Sequence, residues 1–336
     1  MKRIVYLLPL SFLLASLLFS PAYAVTFKIA TLSPEGSSWM KLLRKHAKNI
    51  SAQTDGEVTF KIYPGGVMGD DKAVLRKMRV GQLHGAVLTS GGLAPSYNDI
   101  GIYNLPMLFR DEAEVDHVRQ TMDAVLMAGL RKKKFVGFGI AEVGFAYPMS
   151  NSAGSSIADM RQKKVWVPDN DPASLRAFES LNITPVPLPL ADVLTGLQTG
   201  LIDSIGSPPI GAIVLQWHTQ IEHVIDIPVM YVYGLFAIAQ RPFNRLTERQ
   251  KAIVSSELSQ AVKAADGFAR RDHQSAKAAL INQGINWINP TVAEFKEWDG
   301  LASTAIQRIV DAGFVSREAY NQIESLLAEF RAGSLQ

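Results

Sequence analysis

The run TERQKAIVSSELSQAVKAADGFARRDHQSAKAALINQ (247–283) contains no proline and one glycine, opens with Thr247 and Gln250 at capping-box spacing, and stops at Gly284. Such a run predicts a single helix. At about 1.5 Å per residue it would extend roughly 55 Å, well past the ~30 Å of a small domain. Either it breaks at Gly267, or it crosses two lobes of one chain that share it as a beam with a cleft between them.

Working outward, strands and helices alternate on its amino-terminal side. TFKIA (26–30), a helical stretch at 39–50, VTFKIY (58–63), a basic amphipathic helix at 71–80 and GAVLT (85–89) form one series. A second series has SIADMRQ (156–162), KVWV (164–167), a helix at 172–181, ITPVPL (183–188), a helix at 191–199 and LIDSIG (201–206). The apolar run IPVMYVYGLFAIA (227–239) holds Pro228 and Gly234 and reads as buried strand rather than a membrane span. Two helices, 292–312 and 317–331, close the chain. The fold class expected is α/β, two-lobed, with a hinge and a long helix along both lobes. Lobe I would hold 25–147 plus about 234–275, lobe II 148–233 plus about 276–336, with bending near 146–151 and 233–236.

One joint recurs. In VGQLHGAVLTSGG (80–92) and TGLIDSIGSPP (199–209) a helix ends at a glycine, suited to a helix C-cap, and a strand leads to a polar turn. The turns TSGG and GSPP would then lie beyond the carboxyl ends of their strands, where open α/β sheets bind ligands.

Composition narrows the function. The 336 residues include 34 basic and 31 acidic side chains and no cysteine, so neither nucleic acid nor an anionic membrane surface is suggested, and no disulfide can form. Lys2 and Arg3, an apolar run at 4–19, Pro21 and Ala22-Tyr23-Ala24 read as a secretory signal cleaved after Ala24, which places the mature protein in the periplasm as a soluble form. Catalytic motifs are missing: there is no G-x-S-x-G and no G-x-x-x-x-G-K, and GFGIAEVG (137–144) has the wrong spacing for a dinucleotide. His218 and His223 are five apart and do not share a helix face, so no metal is expected. Asp169 and Asp171 precede Pro172, the pattern of a capping aspartate before a proline-started helix rather than a calcium loop. No cofactor and no enzymatic activity are expected.

The opening TFKIATLSPEGSSW, then YPGG (63–66), LPMLFRD (105–111) and LQTGLID (197–203), resemble the solute-binding proteins of tripartite ATP-independent periplasmic (TRAP) transporters, the DctP type. The resemblance covers nearly the whole mature chain. It implies hinge closure over one small organic ligand and delivery to the membrane permease subunits, with the binding protein acting as a monomer. A ligand-presenting protein for a membrane sensor or another permease, or an exported enzyme, would be the alternatives.

The family pattern also marks a departure. Where it typically reads Lys-Ile-Arg-Val-Pro, with the arginine forked onto a substrate carboxylate, this chain has Lys164-Val165-Trp166-Val167-Pro168; where the family commonly has asparagine before a proline, it has Ser207. The resemblance thus puts Trp166 and Ser207 at the cleft, although periodicity alone suits Trp166 as a core residue. Further candidates from turns facing the same cleft are Glu35, Trp39, Thr89, Ser90, Glu142, Phe145, Trp217, Tyr231 and Tyr233.

Overall fold

The computed structural model describes residues 24–169 and 171–333. The expected signal segment lies, apart from Ala24, outside them. The first series folds as β1 (Val25–Thr31), α1 (Ser38–Gln53), β2 (Val58–Tyr63), α2 (Asp71–Arg79), β3 (Gly85–Thr89) and α3 (Glu112–Lys132). There follow β4 (Phe135–Ser150), β5 (Lys164–Pro168), α4 (Pro172–Ser180), β6 (Thr184–Leu188), α5 (Val193–Thr199), β7 (Ser204–Ser207), α6 (Pro209–Val214) and β8 (His223–Ile225). Last come β9 (Met230–Ala239), α7 (Glu248–Asn282), β10 (Asn286–Ile288), α8 (Val292–Asp311) and α9 (Arg317–Gly333).

The strand order is β2-β1-β3-β9-β4-β7-β5-β6, with β8 pairing β4 and β10. β1 is parallel to β2 and β3, β9 is antiparallel to β3 and β4, and β5 is parallel to β6 and β7. β4 joins the lobes: its stretch up to Ala146 pairs with β9, and from Tyr147 to Ser150 it pairs with β7. The expected bend at 233–236 falls inside β9, where Gly234 pairs with Thr89 on one side and Ala141 on the other. A proline there would remove a ladder bond mid-sheet and so cost folding as well as any bending.

The beam is unbroken. α7 runs 35 residues through Gly267, about 52 Å. The Gln250 N–H donates to the Thr247 hydroxyl at 3.2 Å, and the Thr247 N–H to the Gln250 amide oxygen at 3.0 Å. Val254, Leu258 and Val262 pack with Phe27, Leu43 and Phe236 of lobe I, whereas Leu280 sits in the lobe II core with Met149 and Trp217. Both glycine caps form, Gly81 at φ 77° and Gly200 at φ 69°. In the second joint the strand begins late, at Ser204, because Leu201 and Ile202 are used in the return from the helix, with the Ile202 N–H on Gly196 O at 3.2 Å.

An ion network ties the beam to lobe I. Arg270 forks onto Asp116 of α3 at 2.9 and 2.6 Å and reaches Glu142 of β4 at 3.1 and 3.0 Å. Arg119 of α3 donates to Asp123 (3.1 Å), to Tyr231 (3.3 Å) and to the Ile140 carbonyl (2.7 Å), and its guanidinium lies 3.0 Å from Asp266. Two turns further along the beam, Lys277 holds Asp226 of lobe II at 3.1 Å. Between these anchors, His273 lies against Gly144, the glycine of a β4 bulge at φ 119° where an added Cβ would stand 2.9 Å from the imidazole Nδ1.

That Nδ1 is buried and has no hydrogen-bond partner among the described residues. Burial, and then Lys277, lower the His273 pKa from 6.5. A depressed folded pKa gives stability that is present above pH 6.5 and is lost as pH falls through the lower folded value. Melting temperature should therefore fall on acidification below that point, and His273→Gln should flatten part of the slope; His84, also lowered chiefly by burial, supplies another part. A slope unchanged in the variant would remove His273 from this account.

Candidate functional site

Between the lobes lies a cavity of about 990 Å³. Its walls come from the carboxyl ends of β1, β3, β5 and β7, so both recurring turns face it, Thr89-Ser90-Gly91 from one lobe and Gly206-Ser207-Pro208 from the other. On the lobe I wall the Thr89 hydroxyl donates to the Asp71 carboxylate at 2.5 Å and accepts the Gly92 N–H at 2.9 Å. Glycine is required at 92, since a Cβ there would meet the Asp71 carboxylate at 2.1 Å. The Ser90 hydroxyl bonds to the Asn104 side chain, and the Tyr233 hydroxyl to the Ile100 carbonyl. Burial holds the Tyr233 phenol far above its ordinary pKa.

On the lobe II wall Trp166 is 7% exposed. Its indole N–H donates to the Leu188 carbonyl at 3.0 Å, and its ring stands edge-on to Trp217, centroids 5.3 Å apart at 66°. The ring therefore belongs to the lobe II core while also forming cavity wall. The Ser207 hydroxyl is spent on the Pro208 carbonyl at 2.9 Å. The walls touch: Lys72 of α2 reaches the Asp169 carbonyl at 2.9 Å and its carboxylate at 3.4 Å, and a Cβ on Gly91 would lie 3.2 Å from the Asp171 Cβ.

Of the candidate residues, Trp166, Ser207, Thr89, Ser90, Trp217 and Tyr233 line the cavity. Five do not. Glu35 is turned outward, held by Arg44 at 2.9 Å. Trp39 packs beside Phe27 and Leu43 beneath the beam. Glu142 faces the beam because its carboxylate is claimed by Arg270, and burial still raises its pKa against that pairing. Phe145 and Tyr231 are buried in the lobe I core.

Residues missed in the sequence are Asp70, Asp71, Lys72, Arg76, Asn104 and the backbone of Asp169. Asp70 and Asp71 carried a helix-start signal that was readable; the partner of each polar group across the cleft was not. Asp171 does cap α4, accepting from the Ala173 and Ser174 N–H groups at 3.1 Å each. Among the described residues no helix is long and apolar enough to cross a membrane.

Known proteins share this architecture. The 2,3-diketo-L-gulonate-binding periplasmic protein YiaO of Escherichia coli K12 is 27% identical over 215 residues, 62% of this chain and 64% of that protein. The sialic acid-binding periplasmic protein SiaP of Vibrio cholerae is 20% identical over 279 residues, 82% and 86% of the two. The sugar acid binding protein DctPAm of Advenella mimigardefordensis, solved with galactonate, superposes with a TM-score of 0.84 at 17% identity, covering 91% of this chain and 98% of that one. The family of bacterial extracellular solute-binding proteins designated family 7, DctP, matches residues 29–312. That stretch contains the whole beam and all but three of the residues lining the cleft, and the chain belongs to the DctP family, periplasmic proteins that capture a small organic solute between two lobes and deliver it to a TRAP-type permease.

Proposed function

We propose that the captured solute is a small organic molecule with a flat or apolar face laid on Trp166 and Trp217, and not a compact dicarboxylate. The observation that carries this is the end of β5, where an indole whose only polar atom is already bonded to Leu188 stands in the place of a carboxylate-binding arginine. Ser207, likewise satisfied, offers no second anchor there. Relatives are named for 2,3-diketo-L-gulonate and sialic acid, and solved neighbours hold galactonate and orotic acid, ligands with a polyhydroxyl or ring body beyond the acid group.

The lobes close by bending where β4 carries its bulge at Gly144 and where α7 passes from its Arg270 anchor to its Lys277 anchor. Lobe I is taken as 25–147 with about 234–275 and lobe II as 148–233 with the residues after about 276, except for α9. That helix packs Ile323 and Leu327 onto Val115 and Val118 of α3, and Arg331 pairs with Glu114 at 2.7 Å, contacts that favour lobe I. The mature protein starts at Val25 after export and binds without chemistry. A thermal-shift screen of sugar acids, ring carboxylates, polyols and C4 dicarboxylates, run on the secreted form, should give hits in the first three classes, since a ligand bound only by the folded state raises its stability. X-ray scattering with the best hit should show compaction. Tight binding of a C4 dicarboxylate, an unchanged radius, or a product in the mixture would each count against this reading.

A further inference from the structure

The cavity wall carries five charged side chains, Asp70, Asp71, Arg76, Asp169 and Asp171. Each carboxylate already has a partner. Asp70 accepts the Ala73 N–H at 2.7 Å, Asp71 accepts Thr89, Asp169 is held by Lys72, and Asp171 accepts two N–H groups of α4. Asp70, Asp71 and Asp171 also stand at helix N-termini, whose partial positive charge offsets theirs. Arg76 differs: among the described residues it is the one basic residue lining the cavity, and its guanidinium makes no hydrogen bond or ion pair, whereas its carbonyl accepts the Val80 N–H at 3.2 Å. It lies one turn beyond Lys72 on α2, at the i,i+4 spacing that puts both on one helix face. That is the face from which Lys72 reaches lobe II.

We propose that Arg76 is the anion receptor of the cleft, so that an ionised carboxylate on the ligand is met from α2 in lobe I while its body rests on Trp166 in lobe II. This polarity is the reverse of a carboxylate held at the end of β5. A guanidinium offers two parallel donors to two carboxylate oxygens, and binding between closing walls removes water from around the pair. Because Arg76 is solvent-facing before a ligand arrives, its replacement leaves the fold intact. The proposal rests on the cleft being the ligand site and on the aromatic wall described above.

The test uses matched pairs that differ only in the acid group: orotate with uracil, and galactonate with galactitol. Wild type should bind the acid of at least one pair on the order of tenfold more tightly than its neutral partner, the scale of one charge-assisted contact in a partly wet site. In Arg76→Gln that preference should vanish while affinity for the neutral partner stays the same, and Arg76→Lys should retain a weakened preference. If neutral partners bind as well as acids to wild type, or if Arg76→Gln keeps the preference, Arg76 is not the receptor although the aromatic wall stands. If no member of either pair binds, both the receptor and the ligand class fall.

Discussion

Replacing Arg119 with alanine should cost about 3–5 kcal/mol of stability, the range for stripping one partner from a buried ion pair. Its side chain is 12% exposed and serves Asp123, Asp266, Tyr231 and the Ile140 carbonyl at once. Glu142, 4.0 Å away, is 1% exposed, and burial already pushes the Asp123 pKa upward against the help it receives from Arg119. Without the guanidinium these groups lose their common counter-charge. Urea unfolding should show a lower midpoint at an unchanged slope. As a reference, Lys251→Ala breaks a pair whose Glu248 is 90% exposed and should change stability by no more than about 0.5 kcal/mol. If the two variants lose the same amount, the network does not hold α3, β4 and α7 together in the way described.

Truncating Trp166 to alanine should act on both folding and binding. The ring packs with Met149, Val193, Leu197 and Trp217, and removing a buried aromatic costs about 3–5 kcal/mol. Trp166→Leu keeps apolar bulk without the ring, and should fold while binding about tenfold more weakly, the combined worth of an aromatic contact and its area. Trp166→Phe should keep most of the affinity. Its lost indole N–H leaves no orphan, because the Leu188 carbonyl also accepts the Asp169 N–H at 3.3 Å. Trp166→Arg, which would restore the family residue, puts a guanidinium into that apolar cluster and should unfold lobe II before it recruits a carboxylate. Calorimetry with the best ligand from the screen decides the matter: equal affinity of wild type and the leucine variant would make Trp166 core packing alone.

Local signals in the sequence reached most of the fold. The beam was readable from Thr247 and Gln250 and from the absence of proline, and the glycine caps and the alternating strands announced the two series. β4 was not read as a strand because its glycines at 137, 139 and 144 interrupt the alternation; they serve bulges, and two of them adopt positive φ. The site was half legible. Turns at strand ends gave Thr89 and Ser90, while the resemblance gave Trp166 and Ser207. Glu142 is expected in a turn at the cleft, but it lies within β4, on the face that meets Arg270 of a helix encoded more than a hundred residues later. Lys72 and Arg76 were passed over because a basic helix face looks solvated until the opposite wall is known.

The pairing of β3 with β9 has a consequence for the order in which this protein can be finished. Leu88 finds its neighbour in Leu235, and Phe27 is covered by Leu258 and Val262 of the beam. A chain that emerges from its amino end therefore presents every strand from β5 to β8 before β9. The edge of β3, although encoded early, waits for β9. During that interval the free edge of β3 and the apolar faces of β1 and β3 stay open to other chains, the condition in which nascent proteins aggregate or need a holding chaperone. The connectivity that lets one helix and two strands link both lobes also keeps both unfinished until the chain is nearly whole, because lobe II waits for Leu280, Ile285 and Trp298 and α3 waits for Ile323 and Leu327 of α9.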